Sequence, residues 1–244
     1  MSALLSIIIP VYDEEATLSA IVARVMNVAC NKQIIIVDDC SRDQTPRAIE
    51  DLKTHYGGVI ESFRHEKNLG KGAAIRTGLA AVRGEVIIIQ DADLEYHPED
   101  YPAALKLIEG GWADAVLGSR FLGPHRVFFY WHYVANKFLT FLVNITSDAI
   151  LTDMETGFKM FRTDVFRSLS IQSYKFDFEV EITIKLLRRG YRVYEIPITY
   201  TGRSYAEGKK ITWKDGMHAL FAIVKWSLRR HRLEAPVVRS NKSV

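Results

Sequence analysis

Cysteine is scarce: the 244 residues hold only Cys30 and Cys40. Two isolated thiols have no metal-ligand spacing and no disulfide framework, which excludes stapled secreted scaffolds and zinc ribbons. A reducing, cytoplasmic setting is expected. Cys40, beside Asp38 and Asp39, reads as packing. Long apolar runs are also missing, since no stretch reaches the roughly 18 uncharged residues of a membrane span. The nearest candidate, Val127–Leu151, is interrupted by His132, Asn136, Lys137, Asn144 and Asp148. The apolar start of the chain carries no basic region before it and runs straight into a turn. It reads as a first strand and not as a signal peptide. One-signed charge is absent too: a formal net charge of +3 is too small to argue for nucleic acid. Neither GxxxxGK[ST] nor GxGxxG occurs, and there is no internal repeat or low-complexity segment. The one local imbalance is at the end, where Lys225, Arg229, Arg230, Arg232, Arg239 and Lys242 face only Glu234. Such a tail either touches anionic lipid or is simply solvated.

With 48% hydrophobic and 25% charged residues, the chain is ordinary globular material. Its first hundred residues alternate strand and helix. Strands are expected at Leu5–Pro10, Gln33–Val37, Val59–His65 and Val86–Ile89, the first rich in β-branched residues, as a sheet covered on both faces demands. Helices are expected at Thr17–Val28, from Thr45-Pro46 to about Tyr56, and at Lys71–Val82, whose small-residue face (Ala73, Ala74, Gly78, Ala81) suits close packing. This order predicts an α/β fold with a mostly parallel central sheet and right-handed crossovers. Beyond Pro98 the pattern is less regular. Helices are expected at Pro98–Glu109, Val127–Thr146, Thr163–Leu169, Glu179–Arg189 and Ile211–Arg230, and strands at Ala115–Gly118 and Tyr191–Tyr200. The expected organisation is one domain over residues 1–210, followed at 211–244 by an amphipathic helix and basic tail.

The chemistry concentrates after strands. The run Val86–Ile89 ends in Asp91-Ala92-Asp93, with Glu95 two residues on. Carboxylates two apart on extended backbone share a face, and the C-terminal edge of an open α/β sheet is where ligands bind. A hard divalent ion, Mg²⁺ or Mn²⁺, would relieve their repulsion, because such ions take one or two carboxylates and let substrate phosphates complete the shell. The same residues also fit a solvated acidic loop. Pro10-Val-Tyr-Asp-Glu14 and Asp38-Asp-Cys-Ser41 follow the first two strands and converge on the same crevice. The turn Asn68-Leu-Gly-Lys-Gly72 opens a helix whose N-terminus, with Lys71, suits an anion or is only a well-made helix start. Gly118-Ser-Arg120 places a guanidinium at the sheet edge. Arg203, Lys209 and Lys210 lie in a glycine-rich loop that would neutralise a leaving diphosphate if it closed over the crevice.

PVYDE, VDDCS, NLGKGAAIRTG, QDADLE, GSRF and the late R…GKK, taken in order, resemble the family 2 glycosyltransferases of the GT-A fold. The likeness is greatest to the dolichyl- and polyprenyl-phosphate mannose or glucose synthases, and spans Leu5 to Lys210. The resemblance implies that Pro10, Tyr12, Glu14, Val37 and Asp39 hold the nucleoside of a nucleotide-sugar. It implies that Asp93 and Glu95 hold Mg²⁺ or Mn²⁺ on the diphosphate, while Asp91, with Ala92, faces the ribose or sugar. Arg120 would lie near the donor sugar and phosphates, and Arg203 and Lys209 would reach the diphosphate. Glu95 stands where mannose synthases often carry Gln, and His132 falls where an acceptor-phosphate arginine is expected, leaving Arg126 or Lys137 as substitutes.

The implied reaction moves a hexose from GDP-mannose, UDP-glucose or UDP-N-acetylglucosamine to a polyprenyl phosphate, with inversion. A phosphate nucleophile is already anionic, so no strong base is required, and the protein's work is positioning and leaving-group stabilisation. A glycan hydroxyl acceptor would need a base, for which Asp153, Glu155, Asp177 and Glu179 stand available. A non-catalytic nucleotide-sugar-binding partner of a membrane subunit is the reading from another class. Phe128, Phe129, Trp131, Phe138 and Phe141 of the Val127–Leu151 helix are expected at a lipid surface or in a core. The last helix, with Trp213 and Trp226, is a second expected contact for peripheral binding to the cytoplasmic membrane face. A membrane-protein partner is compatible with either.

Overall fold

The computed structural model describes residues 3–127, 129–173, 177–202 and 213–228, with side chains in the last segment from Gly216 onward. Seven strands form one sheet among the described residues: β1 (Leu5–Val11), β2 (Lys32–Asp38), β3 (Ile60–Arg64), β4 (Val86–Ile89), β5 (Ala115–Ser119), β6 (Lys159–Arg162) and β7 (Val193–Pro197). Their order is β3-β2-β1-β4-β6-β5-β7. Every pairing is parallel except those of β6, which runs antiparallel to both β4 and β5.

The central strands bury both faces, as their β-branched runs predict. Ile7 and Ile9 face α1 (Leu18–Asn27), α2 (Thr45–Tyr56) and α4 (Tyr101–Glu109), and Ile8 faces α3 (Lys71–Ala80), α6 (Thr163–Ser168) and α7 (Asp177–Arg188). The small-residue face of α3 has a steric cause. A Cβ on Gly78 would lie 2.7 Å from Ile8 Cγ2, so only glycine lets the helix sit this close to β1.

Helix α7 is covered twice. Phe178, Ile182 and Leu186 pack on the sheet, while Val180 and Ile184 meet α5 (Tyr130–Ser147) and α8 (Trp213–Leu228). Its charged residues Glu179, Glu181 and Lys185 are therefore buried and must be paired. Glu181 pairs with Lys185 one turn on. Helix α8 packs against α7 and α5. Trp226, expected at a membrane surface, is fully buried among Leu139, Val143 and Ile184.

Strand β6 was not expected. Its four residues, Lys-Met-Phe-Arg, carry two cations and only two apolar residues, too little for a periodicity argument. Its consequence for the site is large. Because it is antiparallel, its first residue, Lys159, pairs with Ile89 and Leu117 at the end of the sheet from which the ligand loops emerge. The segment Asp153–Phe158 before it is thereby delivered to that edge.

Candidate active site

The loops after β1 and β2 are joined by short polar bonds. Asp13 N donates to Ser41 Oγ at 3.0 Å, Glu14 N to Thr45 Oγ1 at 2.9 Å, and Arg42 N to Asp13 Oδ1 at 2.7 Å. The Glu14 carboxylate accepts from Thr17 Oγ1 at 2.9 Å. Pro10 lies opposite Val37 in the ladder, with the Val37 side chain buried against α3. Tyr12, in the loop after β1, is half-buried. Asp13, Cys40 and Leu94, one in each loop after β1, β2 and β4, adopt positive φ of 54°, 68° and 64°. Non-glycine residues in this region carry strain that concentrates at ligand sites.

Asp39 is anchored rather than exposed. Its carboxylate accepts from Leu69 N at 2.8 Å and Gly70 N at 2.7 Å, and contacts His65 Nδ1 at 2.7 Å. His65 Nε2 in turn meets Thr77 Oγ1 at 2.8 Å. Asp38, buried beside it, pairs with Arg64 at 3.2 Å. The two neighbouring carboxylates thus have separate cationic or hydrogen-bonding partners.

The acidic loop after β4 is resolved into distinct environments. Asp91 receives Lys71 Nζ at 2.7 Å, and Lys71 also reaches Glu179 at 3.2 Å. Glu179 in turn holds the buried Lys159 at 2.6 Å. Burial alone would lower the Lys71 pKa, but the carboxylates of Asp91 and Glu179 hold it above its ordinary value. Burial would likewise raise Glu179, yet Lys159 and Lys71 keep it below the usual carboxylate range. The helix-start lysine is therefore an internal partner of the acidic loop, and Glu179 is not an available base. Asp93 Oδ1 accepts from Glu95 N at 3.1 Å, and Glu95 Oε2 accepts from Tyr200 OH at 2.8 Å.

On the β5 side, Arg120 and Asp153 form a bidentate pair, Nε to Oδ2 and Nη2 to Oδ1, both at 2.7 Å. Arg120 N adds a third bond at 3.0 Å and Asn136 Nδ2 a fourth at 3.2 Å. Burial would raise the Asp153 pKa, but the guanidinium holds it below its ordinary value. Tyr200 lies under the guanidinium at 5.4 Å and against Tyr96 at 5.3 Å. Tyr96 OH accepts from Gly157 N at 2.8 Å, and a Cβ on Gly157 would be 2.8 Å from Asp91 Oδ2. Glycine thus lets the loop before β6 close on the acidic loop.

Asp91, Asp93, Glu95 and Arg120 are linked through Gly157, Tyr96 and Tyr200 at the C-terminal edge of the sheet, where the loops bearing Pro10, Tyr12, Glu14 and Asp39 also emerge. Arg203, Lys209, Lys210 and Phe128 lie outside the described residues, as does the Trp213 side chain. Sequence reasoning did not find the aromatic wall of Tyr96 and Tyr200, or Lys159. Their neighbours come from distant segments and no spacing announces them. Of the alternative cations, Lys137 donates to Thr152 O at 2.9 Å and lies over the Phe121 ring at 4.3 Å. Arg126 donates to Gly202 O at 3.3 Å.

Among the described residues, no three His, Cys, Asp or Glu side chains converge as a metal cage. Asp91 is neutralised by Lys71, whereas Asp93 and Glu95 offer hard oxygen donors on one short loop. That pair fits a divalent ion whose remaining ligands come from diphosphate and water.

A mostly parallel sheet with one antiparallel insertion, bearing a DAD loop at its C-terminal edge, is the GT-A glycosyltransferase architecture. Residues 6–170 match the pattern of glycosyl transferase family 2, and the chain belongs to that family. It is a glycosyltransferase. It is 27% identical over 236 residues to a polyprenol monophosphomannose synthase of Mycolicibacterium smegmatis, covering 91% of this chain and 86% of that one. It is 30% identical over 236 residues to an undecaprenyl-phosphate mannosyltransferase of Micrococcus luteus, covering 91% and 93%. A dolichol-phosphate mannosyltransferase of Pyrococcus furiosus is 28% identical over 231 residues, with 91% of this chain spanning 64% of the longer relative. Among solved structures, glucosyl-3-phosphoglycerate synthase of Mycobacterium tuberculosis in complex with Mn²⁺, UDP and glucosyl-3-phosphoglycerate superposes with a TM-score of 0.69. That match has 16% identity and covers 92% of this chain and 80% of the other, a likeness of fold.

Proposed function

We propose that the protein transfers a hexose from a nucleotide-sugar to a polyprenyl phosphate by direct displacement with inversion. The observation that carries this reading is the state of the carboxylates around the crevice. Asp153 is bound to Arg120, and Glu179 to two lysines. Neither of these two is free to deprotonate a hydroxyl, and with Glu155 assigned below to the transferred sugar the arrangement favours an acceptor that is already an anion at neutral pH. The mannosyltransferase relatives carry the same acceptor class in their names.

In this reading Pro10, Tyr12, Glu14, Val37 and Asp39 frame the nucleoside, Asp91 and Ala92 border the ribose or sugar, and Asp93 and Glu95 hold Mg²⁺ or Mn²⁺. The ion, when bound, supplies charge neutralisation for the departing diphosphate. Arg120, kept cationic and aimed by Asp153, stabilises charge as it grows on the same leaving group. Arg203 and Lys209 are assigned to the diphosphate. The chain's own contribution is alignment of the two substrates. Asp177 stands at the start of α7 and has no part in this scheme.

Peripheral binding to a membrane completes the proposal. Trp131, Val134, Phe138, Phe141 and Ile145 recur at helical spacing on α5 and are all exposed, Trp131 by 76%. Met217, Phe221, Val224 and Leu228 form a second exposed stripe on α8, which packs beside α5. Two exposed apolar stripes on adjacent helices, one of them on the helix whose Asn136 and Lys137 reach the Thr152–Asp153 loop, suit an interface where a lipid substrate must be reached. No helix among the described residues is long and apolar enough to cross a membrane. The test is turnover: purified protein with Mn²⁺ or Mg²⁺ is offered GDP-mannose, UDP-glucose and UDP-N-acetylglucosamine, with and without a short polyprenyl phosphate. Lipid-dependent release of one nucleoside diphosphate is expected. Release stimulated instead by a soluble glycan would transfer the assignment to a hydroxyl acceptor.

A further inference from the structure

On the reading that this crevice takes a nucleotide-sugar, we propose that Glu155 is the residue that recognises hydroxyl groups of the transferred sugar. A hexose presents O–H donors, so a site that selects among hexoses needs acceptors, and carboxylates are the strongest that a protein supplies. Most acceptors around the crevice already have partners. Asp39 binds the Leu69–Gly70 turn and His65, Asp91 binds Lys71, Asp153 binds Arg120, Glu179 binds two lysines, and Glu95 binds Tyr200. Glu155 differs, because among the described residues its carboxylate has no hydrogen bond or ion pair, only the longer-range attraction of Arg120 and Lys159.

Its position is fixed from both sides. Lys159 Nζ donates to the carbonyls of Met154 and Thr156, the residues flanking it, whose side chains are fully buried while Glu155 stays half-exposed. Two residues before it, Asp153 holds Arg120; two after it, Gly157 touches Asp91. Glu155 therefore sits on a tethered loop tied on one side to Arg120 and on the other to Asp91, the groups assigned to the donor's phosphates and its sugar. Burial pushes its pKa above the ordinary value, with Arg120 and Lys159 opposing and Asp153 and Glu179 reinforcing that shift. A half-exposed acceptor that no protein group engages is open to the hydroxyl groups of a ligand. A vicinal diol would satisfy both oxygens at once.

The experiment is calorimetric titration of wild-type protein, Glu155→Gln and Glu155→Ala with GDP, GDP-mannose, UDP and UDP-glucose in Mn²⁺. Whichever nucleoside diphosphate binds should keep its affinity within about twofold in both variants. Its sugar conjugate should weaken about 10- to 100-fold in Glu155→Ala, the loss expected for hydrogen bonds to a charged group. Glu155→Gln, which retains one acceptor, should fall between, and the melting temperatures of both should be unchanged or higher. Equal weakening of diphosphate and conjugate would overturn the proposal. So would unchanged conjugate affinity with abolished turnover, which would make Glu155 a base, or a lower melting temperature in Glu155→Gln, which would make it structural. Failure of every nucleotide to bind the wild type would instead remove the nucleotide-sugar reading itself, and this proposal with it.

Discussion

Replacing Asp153 by alanine should damage both the fold and the chemistry, in separable ways. The Asp153 side chain is 0% exposed and that of Arg120 14%, with two charge-assisted bonds of 2.7 Å between them. Removing one member of such a pair leaves the other charge buried without compensation, which costs about 3–5 kcal/mol. Arg120 keeps some solvent contact and the Tyr200 ring at 5.4 Å, so the lower end, about 3 kcal/mol, is expected. For a domain of this size that is a fall in melting temperature of roughly 6–12 °C. The double variant Arg120→Met/Asp153→Leu removes both charges and should recover most of that stability while remaining inactive. The effect also has a pH signature. The folded-state pKa of Asp153 lies below its unfolded value, so its contribution is complete above about pH 4 and disappears as pH falls through the folded value. Stability curves of wild type and Asp153→Ala, followed by circular dichroism in urea, should therefore converge in acid. A loss under about 1 kcal/mol at pH 7.5, or a double variant no more stable than the single, would refute the argument.

Other consequences can be checked alongside. Glu155 has the opposite sign: its raised pKa is a penalty at neutral pH that protonation relieves, so Glu155→Gln should match or exceed wild-type stability at pH 7.5, with the gap closing in acid. Gly78→Ala forces a Cβ to within 2.7 Å of Ile8 and should cost about 1–3 kcal/mol by urea denaturation. Trp131→Ser with Phe138→Ser should alter stability by less than about 0.5 kcal/mol, since both side chains are exposed. The same double variant should reduce co-sedimentation with anionic vesicles at low salt at least tenfold, since each ring would bring about 1.5–3 kcal/mol when buried. Asp93→Asn should abolish the Mn²⁺ dependence of donor affinity in calorimetry, and unchanged dependence would remove Asp93 from the metal assignment.

How much of this was legible in the chain follows from the range of the interactions. The parallel half of the sheet was readable because β1, β2 and β4 are β-branched runs that end at Pro, Asp and Gln-Asp, and because the helices between them repeat at 3.6 residues. Gly78 and its alanine neighbours announced a close approach before the partner, Ile8, was known. The loops carrying Pro10–Glu14, Asp38–Ser41 and Asp91–Glu95 could be grouped by topology alone. The antiparallel β6 could not be read, since four residues with a cation at each end carry no period. With it went the placement of Asp153–Gly157, and so the Arg120–Asp153 pair and the contact of Gly157 with Asp91. The partners of Lys71 were equally hidden, since Glu179 is 108 residues away. Trp226 was misread because an amphipathic pattern says which face is apolar, not what covers it. Here α5 and α7 cover one face and leave the stripe of Met217, Phe221, Val224 and Leu228 outward.

The central claim is that the acceptor is a lipid phosphate, and the product tests it most directly. Protein incubated with sugar-labelled GDP-mannose or UDP-glucose, divalent metal and a short polyprenyl phosphate would be extracted into organic solvent. The account predicts label in the organic phase as a sugar phosphodiester whose anomeric configuration, read by NMR, is opposite to the donor's. Label confined to the aqueous phase, as free sugar or a glycan, or a lipid product with retained configuration, would contradict it.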